Sequence, residues 1–375
     1  MRSIEQGLDQ MNRVPSGRAT VKMAPGEKEG ETKLIFENKP VGEYRVTAGL
    51  DNFGNASTGR LRKNGTIGLD NVLNLNENVN AFYTGTENSN AFSTSGSVPF
   101  EWWTLSSSAS YSEYLIGLAP GTELFGTTWS GSSQLSQTVY RDGRHKLELG
   151  IGGEMKNSGR IINDTVLTPQ RLTVFKAFAT HSYRLDDAQL VFDLSYHRGV
   201  PYFGADEDLP NTLRQNPHRE FNKFEGGFQY TQALTSWLQY RLVIQGQYAL
   251  EGLFGTEQIF AGDNFSVRGY RESIALGDDG LLGRNEFVFG VPGFMKNKPC
   301  DWFITKFQPF LFTDAAYLSL KSQRNGTQLW GAGAGMRWNW DYLSAEATWG
   351  KAISDTRGID GRDNEFYLSF TAKIF

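Results

Sequence analysis

From Val41 to the last residue the chain repeats one pattern, runs of about ten residues in which apolar and polar side chains alternate with strict period 2. In the clearest run, Leu238, Tyr240, Leu242, Ile244, Tyr248 and Leu250 share a face with Gly246, and Gln239, Arg241, Gln245 and Gln247 hold the other. The same alternation sets Leu190, Phe192, Leu194 and Tyr196 against Asp193, Ser195 and His197. It sets Phe224, Phe228 and Tyr230 against Lys223, Glu225 and Gln229, and Trp330, Ala332, Ala334, Met336 and Trp338 against Gly331, Gly333, Gly335 and Arg337. Leu147, Leu149 and Ile151 follow the same rule. Side chains that alternate in this way stand on opposite faces of a strand, not on a helical stripe. The pattern predicts sixteen strands, near 42–51, 60–70, 76–87, 90–100, 102–113, 125–141, 145–155, 170–184, 188–198, 221–234, 238–250, 281–291, 307–319, 327–338, 341–353 and 365–375. The even count returns the chain to its starting side.

The connections fall into two classes that mostly alternate. Arg141–Arg144, Leu185–Asp187, Leu234–Trp237 and Asn339–Trp340 are short, whereas 156–169, 199–220, 251–280 and 354–364 are long. Tight turns on one side and long loops on the other are the rhythm of an outer-membrane barrel. Residues 292–306 break it with a long segment on the turn side. A soluble β-sandwich alternates equally well, but strands of this length match the 9 to 11 residues that cross a bilayer. A sandwich also leaves the tryptophans unexplained. Trp102, Trp103, Trp237, Trp302, Trp330, Trp338, Trp340 and Trp349 mostly lie near predicted strand ends, where an interfacial girdle sits.

Composition narrows the choice further. No stretch approaches 18 consecutive apolar residues and mean hydropathy is −0.43, which excludes a helical membrane protein. The one cysteine, Cys300, excludes an intramolecular disulfide and a CxxC metal site. A net charge of −4 argues against a nucleic-acid partner, whose footprint is a basic patch. The search for catalysis is thin. His145, His181, His197 and His218 are scattered without a metal-binding spacing and read as polar residues of the lumen or loops. Asp206-Glu207-Asp208 reads as a solvated acidic loop in preference to a cation site. Gly331, Gly333 and Gly335 read as close packing on the lumen side. No catalytic residue, metal or cofactor is expected.

Residues 1–39 differ. Ile4, Leu8 and Met11 recur at helical spacing, with Ser3 as the expected N-cap and Gln6 three residues on. Val14-Pro15-Ser16-Gly17 stops the helix. Ala19, Val21 and Met23 form one strand, a polar turn runs from Pro25 to Gly30, and Leu34, Ile35 and Phe36 form a second. No signal peptide opens the sequence. About 40 residues rarely fold alone, so this piece is expected to be the end of a domain, and the chain a truncated product.

The connection after Leu250 contains Val267-Arg268-Gly269-Tyr270, in which Gly269 permits a positive φ. This resembles the VRGY/F motif in the sixth extracellular loop of the superfamily of BamA and the two-partner secretion transporters. Phe312-Thr313-Asp314-Ala315-Ala316 is similar to its F-x-D-x-G strand motif, with Ala316 in place of the last glycine. Arg284-Asn285-Glu286 resembles the RNE that opens the strand after the loop. Asp51 to Gly59 resembles the DN-x-G-x-x-x-TG segment of the first hairpin, and residues 1–39 the second half of a membrane-proximal POTRA domain. The chain is thereby identified as a member of the TpsB transporters, the ShlB/FhaC/HecB/CdiB-like haemolysin secretion/activation proteins. Phe375 fits the expected aromatic end, although Phe366, Leu368, Phe370 and Ile374 lie on the opposite parity.

The resemblance implies an all-β fold, a 16-stranded antiparallel transmembrane β-barrel over 41–375 preceded by a partial α+β POTRA domain over 1–39. It implies that loop 251–280 folds into the lumen and brings Arg268 onto Asp314, which alternation places on one face with Phe310 and Phe312. Val267, Arg268, Gly269, Tyr270, Phe312 and Asp314 are then the loop–lumen latch. The implied function is secretion of a large unfolded partner exoprotein through the outer membrane of a Gram-negative bacterium. The partner would add a strand to the hairpin edge at Ala19, Val21, Met23, Leu34 or Phe36. Further implied partners are outer-membrane lipid and the barrel assembly machinery, with the transporter a monomer. A BamA-like insertase and a diffusion porin remain the alternatives. The first shares the loop motif and the second the barrel alone.

Overall fold

A computed structural model describes residues 2–28, 30–39, 42–271, 273–290, 306–354 and 364–374. Helix α1 (Arg2–Asn12) and the hairpin of β1 (Ala19–Pro25) and β2 (Thr32–Asn38) come first. Among the described residues sixteen strands then close a barrel. They are β3 (Tyr44–Asp51), β4 (Arg62–Asp70), β5 (Asn78–Gly85), β6 (Ser89–Phe100), β7 (Trp103–Ala119), β8 (Thr122–Arg141) and β9 (His145–Ile162). After the two-residue β10 (Thr165–Val166) come β11 (Gln170–Arg184), β12 (Ala188–Gly199), β13 (Asn222–Thr235) and β14 (Leu238–Ala249). The short β15 (Ile259–Ala261) and β16 (Ala275–Gly277) follow, and β17 (Asp279–Phe289), β18 (Phe307–Ser319), β19 (Thr327–Asn339), β20 (Leu343–Ala352) and β21 (Asn364–Lys373) complete the wall. Each barrel strand pairs antiparallel with its neighbours, and β21 returns to β3. Closure leaves no unpaired edge, which is the condition for strands to cross a membrane.

The alternation sorts as the pattern demands. On β18, Leu311 and Tyr317 are exposed on the outside, while Phe310, Phe312 and Asp314 are buried toward the lumen. No described helix is long and apolar enough to cross a membrane, a statement that does not bear on strands. Residues 292–305, with Cys300 and Trp302, and the terminal Phe375 lie outside the described residues.

Two expectations about the elements need correction. Residues 156–169 are not a loop, because β8 and β9 continue as a tall hairpin to Thr122 and Ile162 and β10 pairs back on Ile161 and Ile162. The segment Lys156-Asn157-Ser158-Gly159-Arg160 lacks an apolar face, as strands that protrude past the bilayer can. Helix α1 begins at Arg2, one residue before the expected cap. Its most buried described side chain is Gln6, not the apolar trio.

That burial reflects how the helix docks. Gln6 and Gln10 donate through Nε2 to the Glu101 carbonyl at 3.2 and 3.0 Å, in the turn between β6 and β7. Asp9 pairs with Arg141, and Arg13 Nη2 reaches Ser97 Oγ at 3.0 Å. The backbone N–H of Ser16 donates to Asp70 at 2.9 Å. The helix therefore sits against the turn end of the barrel through polar contacts. On the hairpin, Ala19 is buried, Val21 and Leu34 are half-buried, and Met23 and Phe36 are exposed. Register pairs Val21 with Phe36 and Met23 with Leu34.

Candidate functional site

Loop 251–278 turns inward. Its stem is the β15–β16 hairpin, in which Ile259 opposes Gly277 and Ala261 opposes Ala275. Its tip is shaped by Asp263, whose Oδ1 accepts the N–H of Phe265 at 2.8 Å and of Ser266 at 2.9 Å, an Asx turn. At its base, Glu257 is buried between Lys156 at 2.8 Å and Lys223 at 3.0 Å. The loop carries its own core. Ala261, Val267, Tyr270 and Ala275 pack on Leu282, Ala316, Leu318, Leu329 and Ala352 of the wall.

Arg268 lies at the centre, 1% exposed. Its Nε and Nη2 meet Asp314 Oδ2 and Oδ1 at 2.7 and 2.9 Å, a bidentate fork, and its backbone N–H donates to the same carboxylate at 3.1 Å. Nη1 meets Glu286 Oε1 at 2.5 Å. The guanidinium lies 3.6 Å from the ring centroid of Phe312, a cation–π contact. Glu286 also receives Arg337 through Nη1 and Nη2, both at 3.0 Å, and Arg337 Nε extends the network to Glu346 at 2.8 Å.

The backbone beside Arg268 needs glycines on both partners. Gly269 has φ of 103°, and a Cβ there would lie 2.5 Å from the Lys351 carbonyl carbon. A Cβ on Gly331 would lie 1.8 Å from the Arg268 carbonyl oxygen. The close approach thus falls on Gly331 and Gly350, while Ala316 packs in the loop's core. At position 316, where the motif has glycine, the alanine is accommodated in the loop's core.

The flanks are fixed as well. Tyr270 hydroxyl bonds to Ser354 Oγ at 2.6 Å and to the Trp330 carbonyl at 3.1 Å. Tyr367 hydroxyl accepts the Gly269 N–H at 3.2 Å and donates to the Tyr270 carbonyl. Arg271 pairs with Glu365 and donates to the carbonyls of Asn52 at 2.8 Å and Phe366 at 2.6 Å. Arg284, the first residue of the RNE segment, lies within β17 and donates to the Phe265 carbonyl at 2.8 Å.

Val267, Arg268, Gly269, Tyr270, Phe312 and Asp314 therefore come together in the structure. Sequence reasoning gave no role to Glu286, Arg337 and Tyr367. Glu286 was visible only inside the RNE segment, and Tyr367 only as the odd-parity aromatic among Phe366, Leu368 and Phe370. The hairpin residues Ala19, Val21, Met23, Leu34 and Phe36 lie apart, on the β1–β2 unit.

The remaining candidates resolve into structural roles. Asp208 accepts N–H groups of Arg219 at 2.6 Å and Glu220 at 3.3 Å and holds His218 at 2.9 Å, so the acidic loop is internally wired. His197 faces the lumen beside Glu225 at 3.2 Å. His145 and His181 correct the expectation of lumen or loop positions. They share the outward parity of Leu147 and Leu149, their ring nitrogens are 3.2 Å apart, and Tyr183 stacks on His145 at 4.2 Å. Among the described residues no group of three or more His, Cys, Asp or Glu side chains is placed to hold a metal ion.

The family model described as haemolysin secretion/activation protein ShlB/FhaC/HecB matches residues 30–338, and a POTRA domain model matches residues 1–25. The chain is 28% identical to the outer membrane transporter CdiB of Dickeya dadantii over 378 aligned residues, covering 94% of this chain and 64% of that protein. It is 27% identical to the hemolysin transporter protein ShlB of Serratia marcescens, covering 75% of this chain and 53% of that one. It therefore spans about half to two-thirds of the length of these relatives. The solved structure of CdiB from Escherichia coli superposes with a TM-score of 0.90 at 23% identity, covering 100% of this chain and 70% of that one, a likeness of fold. With a family match running through most of the barrel, the chain belongs to the ShlB/FhaC/HecB family of haemolysin secretion/activation proteins.

Proposed function

We propose that the protein is an outer-membrane translocation pore, not an enzyme, that secretes a large partner exoprotein in an unfolded state. The observation that carries this reading is the inward loop, with Arg268 buried between Asp314 and Glu286. A sixteen-stranded barrel otherwise encloses an aqueous channel, and a loop latched by one guanidinium is a plug that can be held or released. Phe312 lies under that guanidinium, Val267, Gly269 and Tyr270 seat the loop backbone beside it, and Arg268 and Asp314 act as the latch.

Residues 1–39 act in this reading as the C-terminal part of a membrane-proximal POTRA domain that receives the exoprotein on the turn side. The hairpin edge carrying Ala19, Val21, Met23, Leu34 and Phe36 offers strand addition to the arriving chain. The transporter works as a monomer in the outer membrane of a Gram-negative bacterium, inserted there by the barrel assembly machinery. The names of the similar proteins, outer membrane transporter and hemolysin transporter, support transport through that membrane.

Deleting the gene in the producing bacterium and comparing the proteins of the medium and the outer membrane tests the reading. Loss of one large exported protein with an unchanged outer-membrane profile is expected. A general loss of barrel proteins would point instead to an assembly insertase, and an unchanged export profile would remove the secretion reading.

A further inference from the structure

The lumen wall is chemically lopsided. Directly opposed residues of paired strands face the same side, so the register carries the inward face of Asp314 around the barrel to Ser132, and from there to Ser108 and Ser95. Among the described residues of β5 through β8, no inward position between Asn78 and Thr138 bears a charge. The charges in that stretch lie elsewhere. Glu87 and Glu101 are in turns, Glu113 and Glu123 have outward parity, and no Lys or Arg occurs between Lys63 and Arg141. The rest of the wall is different. Glu154, Lys156, Lys223, Glu225, Arg241 and Arg337 face inward beyond β8, and the Arg268 site occupies β17 to β20.

Strand order sets β5–β8 across the lumen from β17–β20. The uncharged wall consists mostly of hydroxyls, densest in its middle at Ser93, Ser95, Ser106, Ser108, Ser130 and Ser132. Ser108 Oγ pairs with Ser132 Oγ at 2.8 Å and Ser110 Oγ with Ser130 Oγ at 2.8 Å. A recess of about 400 Å³ opens there, lined by Ser95, Ser97, Ser106, Ser108, Ser132 and Gln134.

Resting on the transport reading above, we infer that this wall is the track along which an extended, unfolded polypeptide crosses the barrel. The backbone of such a chain presents an N–H and a C=O at almost every residue, and both need partners once water is scarce. A hydroxyl donates and accepts. Each Ser–Ser pair uses one of its two protons internally, which leaves one donor and several lone pairs for a passing strand. The wall therefore matches any backbone without reading its side chains. Charged walls would hold oppositely charged segments and repel like ones, more strongly as the local dielectric falls. Passage requires sites weak enough to leave, and neutral hydroxyls supply them. The plugging loop rests on the other side, against strands whose charges and glycines are already engaged.

A photoreactive p-benzoylphenylalanine, placed singly at Ser108 or at the lumen-exposed Gln245 of β14, tests the track in the producing bacterium. The exoprotein is halted in transit by a disulfide-closed segment near its C-terminal end. Irradiation is expected to yield the exoprotein adduct from position 108 and not from position 245. Adducts from 245 alone, or equally from both, overturn the track while leaving secretion intact. In parallel, Ser108→Lys with Ser132→Lys is expected to abolish secretion that Ser108→Asn with Ser132→Asn retains, outer-membrane levels being equal. Undiminished secretion by the lysine pair also overturns it. If the lysine pair does not reach the outer membrane, the cross-link decides. Failure of the unsubstituted transporter to secrete any exoprotein is a separate outcome, which removes the transport reading itself.

Discussion

Replacing Arg268 by alanine removes every bond of the guanidinium at once. Asp314 loses its bidentate partner, and its carboxylate keeps only the backbone N–H of residue 268 at 3.1 Å. Glu286 loses the 2.5 Å contact but retains Arg337 through two nitrogens. The uncompensated charge is thus one carboxylate, not two. Removing one partner of a buried pair costs about 3 to 5 kcal/mol. The lower end applies here, because Asp314 is rehydrated when the loop leaves the wall. About 3 kcal/mol corresponds to roughly a hundredfold shift of the docking equilibrium toward the released loop. Arg268→Lys keeps the charge but cannot form the planar fork, so its shift is smaller. Planar-bilayer recordings of the purified protein report the time spent in the high-conductance state, and limited proteolysis near residues 262–274 reports loop exposure independently. Both are expected to rise in the order native, Arg268→Lys, Arg268→Ala. An alanine variant with native open time and native protease resistance would refute the assignment of the pair as the element that holds the loop.

Three other perturbations have outcomes fixed by local contacts. Gly331→Val places a side chain where the Arg268 carbonyl oxygen sits, so the loop must lift and protease sensitivity near residue 265 is expected to increase with barrel content by circular dichroism unchanged. Arg141→Ala removes the partner of Asp9 and of the Gln6 side-chain oxygen; a pair whose carboxylate is half exposed contributes about 0 to 1 kcal/mol, so faster hydrogen exchange confined to residues 2–12 is expected, and unchanged exchange there would show that the bonds of Gln6 and Gln10 to the Glu101 carbonyl suffice. Asp142 accepts the N–H groups of Arg144 and His145 and the Tyr140 hydroxyl, and these bonds lower its pKa from the usual carboxylate value to about 2. Because the folded value is depressed, its stabilising effect is complete above an unfolded pKa of about 4 and is lost as pH falls through 2; thermal unfolding of the native protein should therefore depend on pH more steeply than that of Asp142→Asn between about pH 4 and 2, and equal slopes would count against the turn.

The barrel was legible because lipid on one side and a wet lumen on the other force period 2 onto every strand. Where that force ends, so does the signal. Lys156 to Arg160 is polar on both faces, and a strand with no face to bury reads as a loop. The Arg268 site was legible in half. Arg268 and Asp314 stand in motifs, but Glu286 and Arg337 meet only because β17, β18 and β19 lie side by side, Arg337 reaching back from four residues beyond Gly333, which is level with Glu286. No spacing along the chain announces that meeting. Ala316 illustrates the reverse. The motif's last glycine is absent there, and close approach to the loop backbone falls on Gly331 and Gly350 of neighbouring strands, which no motif marks. His145 and His181 are far apart in sequence, and only antiparallel pairing of β9 with β11 brings their rings together. The neutral wall, by contrast, was present in the sequence as the absence of Lys and Arg between Lys63 and Arg141, a compositional fact that acquires meaning once those strands are known to be neighbours.

The seam where the barrel closes joins the loop to the wall energetically. Register between β21 and β3 runs only from Ser369–Asp51 to Lys373–Thr47, five residue pairs, whereas β3 and β4 pair along eight. Beyond Ser369 the seam continues through Asn52, whose backbone N–H donates to the Leu368 carbonyl at 3.2 Å. Its side-chain amide adds to this, donating to the Phe366 carbonyl at 2.9 Å and accepting the Leu368 N–H at 2.9 Å. Arg271 then reaches from the loop to both sides of this junction, to the carbonyls of Asn52 and Phe366 and to Glu365. Phe53, next to Asn52, packs edge-on against Phe265 of the loop tip and Tyr367 of β21, at 5.7 and 6.1 Å. A loop that leaves the wall takes these bonds with it, and a seam that opens strips the loop of the groups that seat Gly269 and Arg271. The two events draw on shared partners, so the costs of Arg268 and Arg271 substitutions cannot be summed as independent terms. The hold on the loop is a property of the whole arc from β17 to β3, in which the Arg268 fork contributes the most buried charge and the Asn52–Arg271 junction bridges the shortest strand pairing.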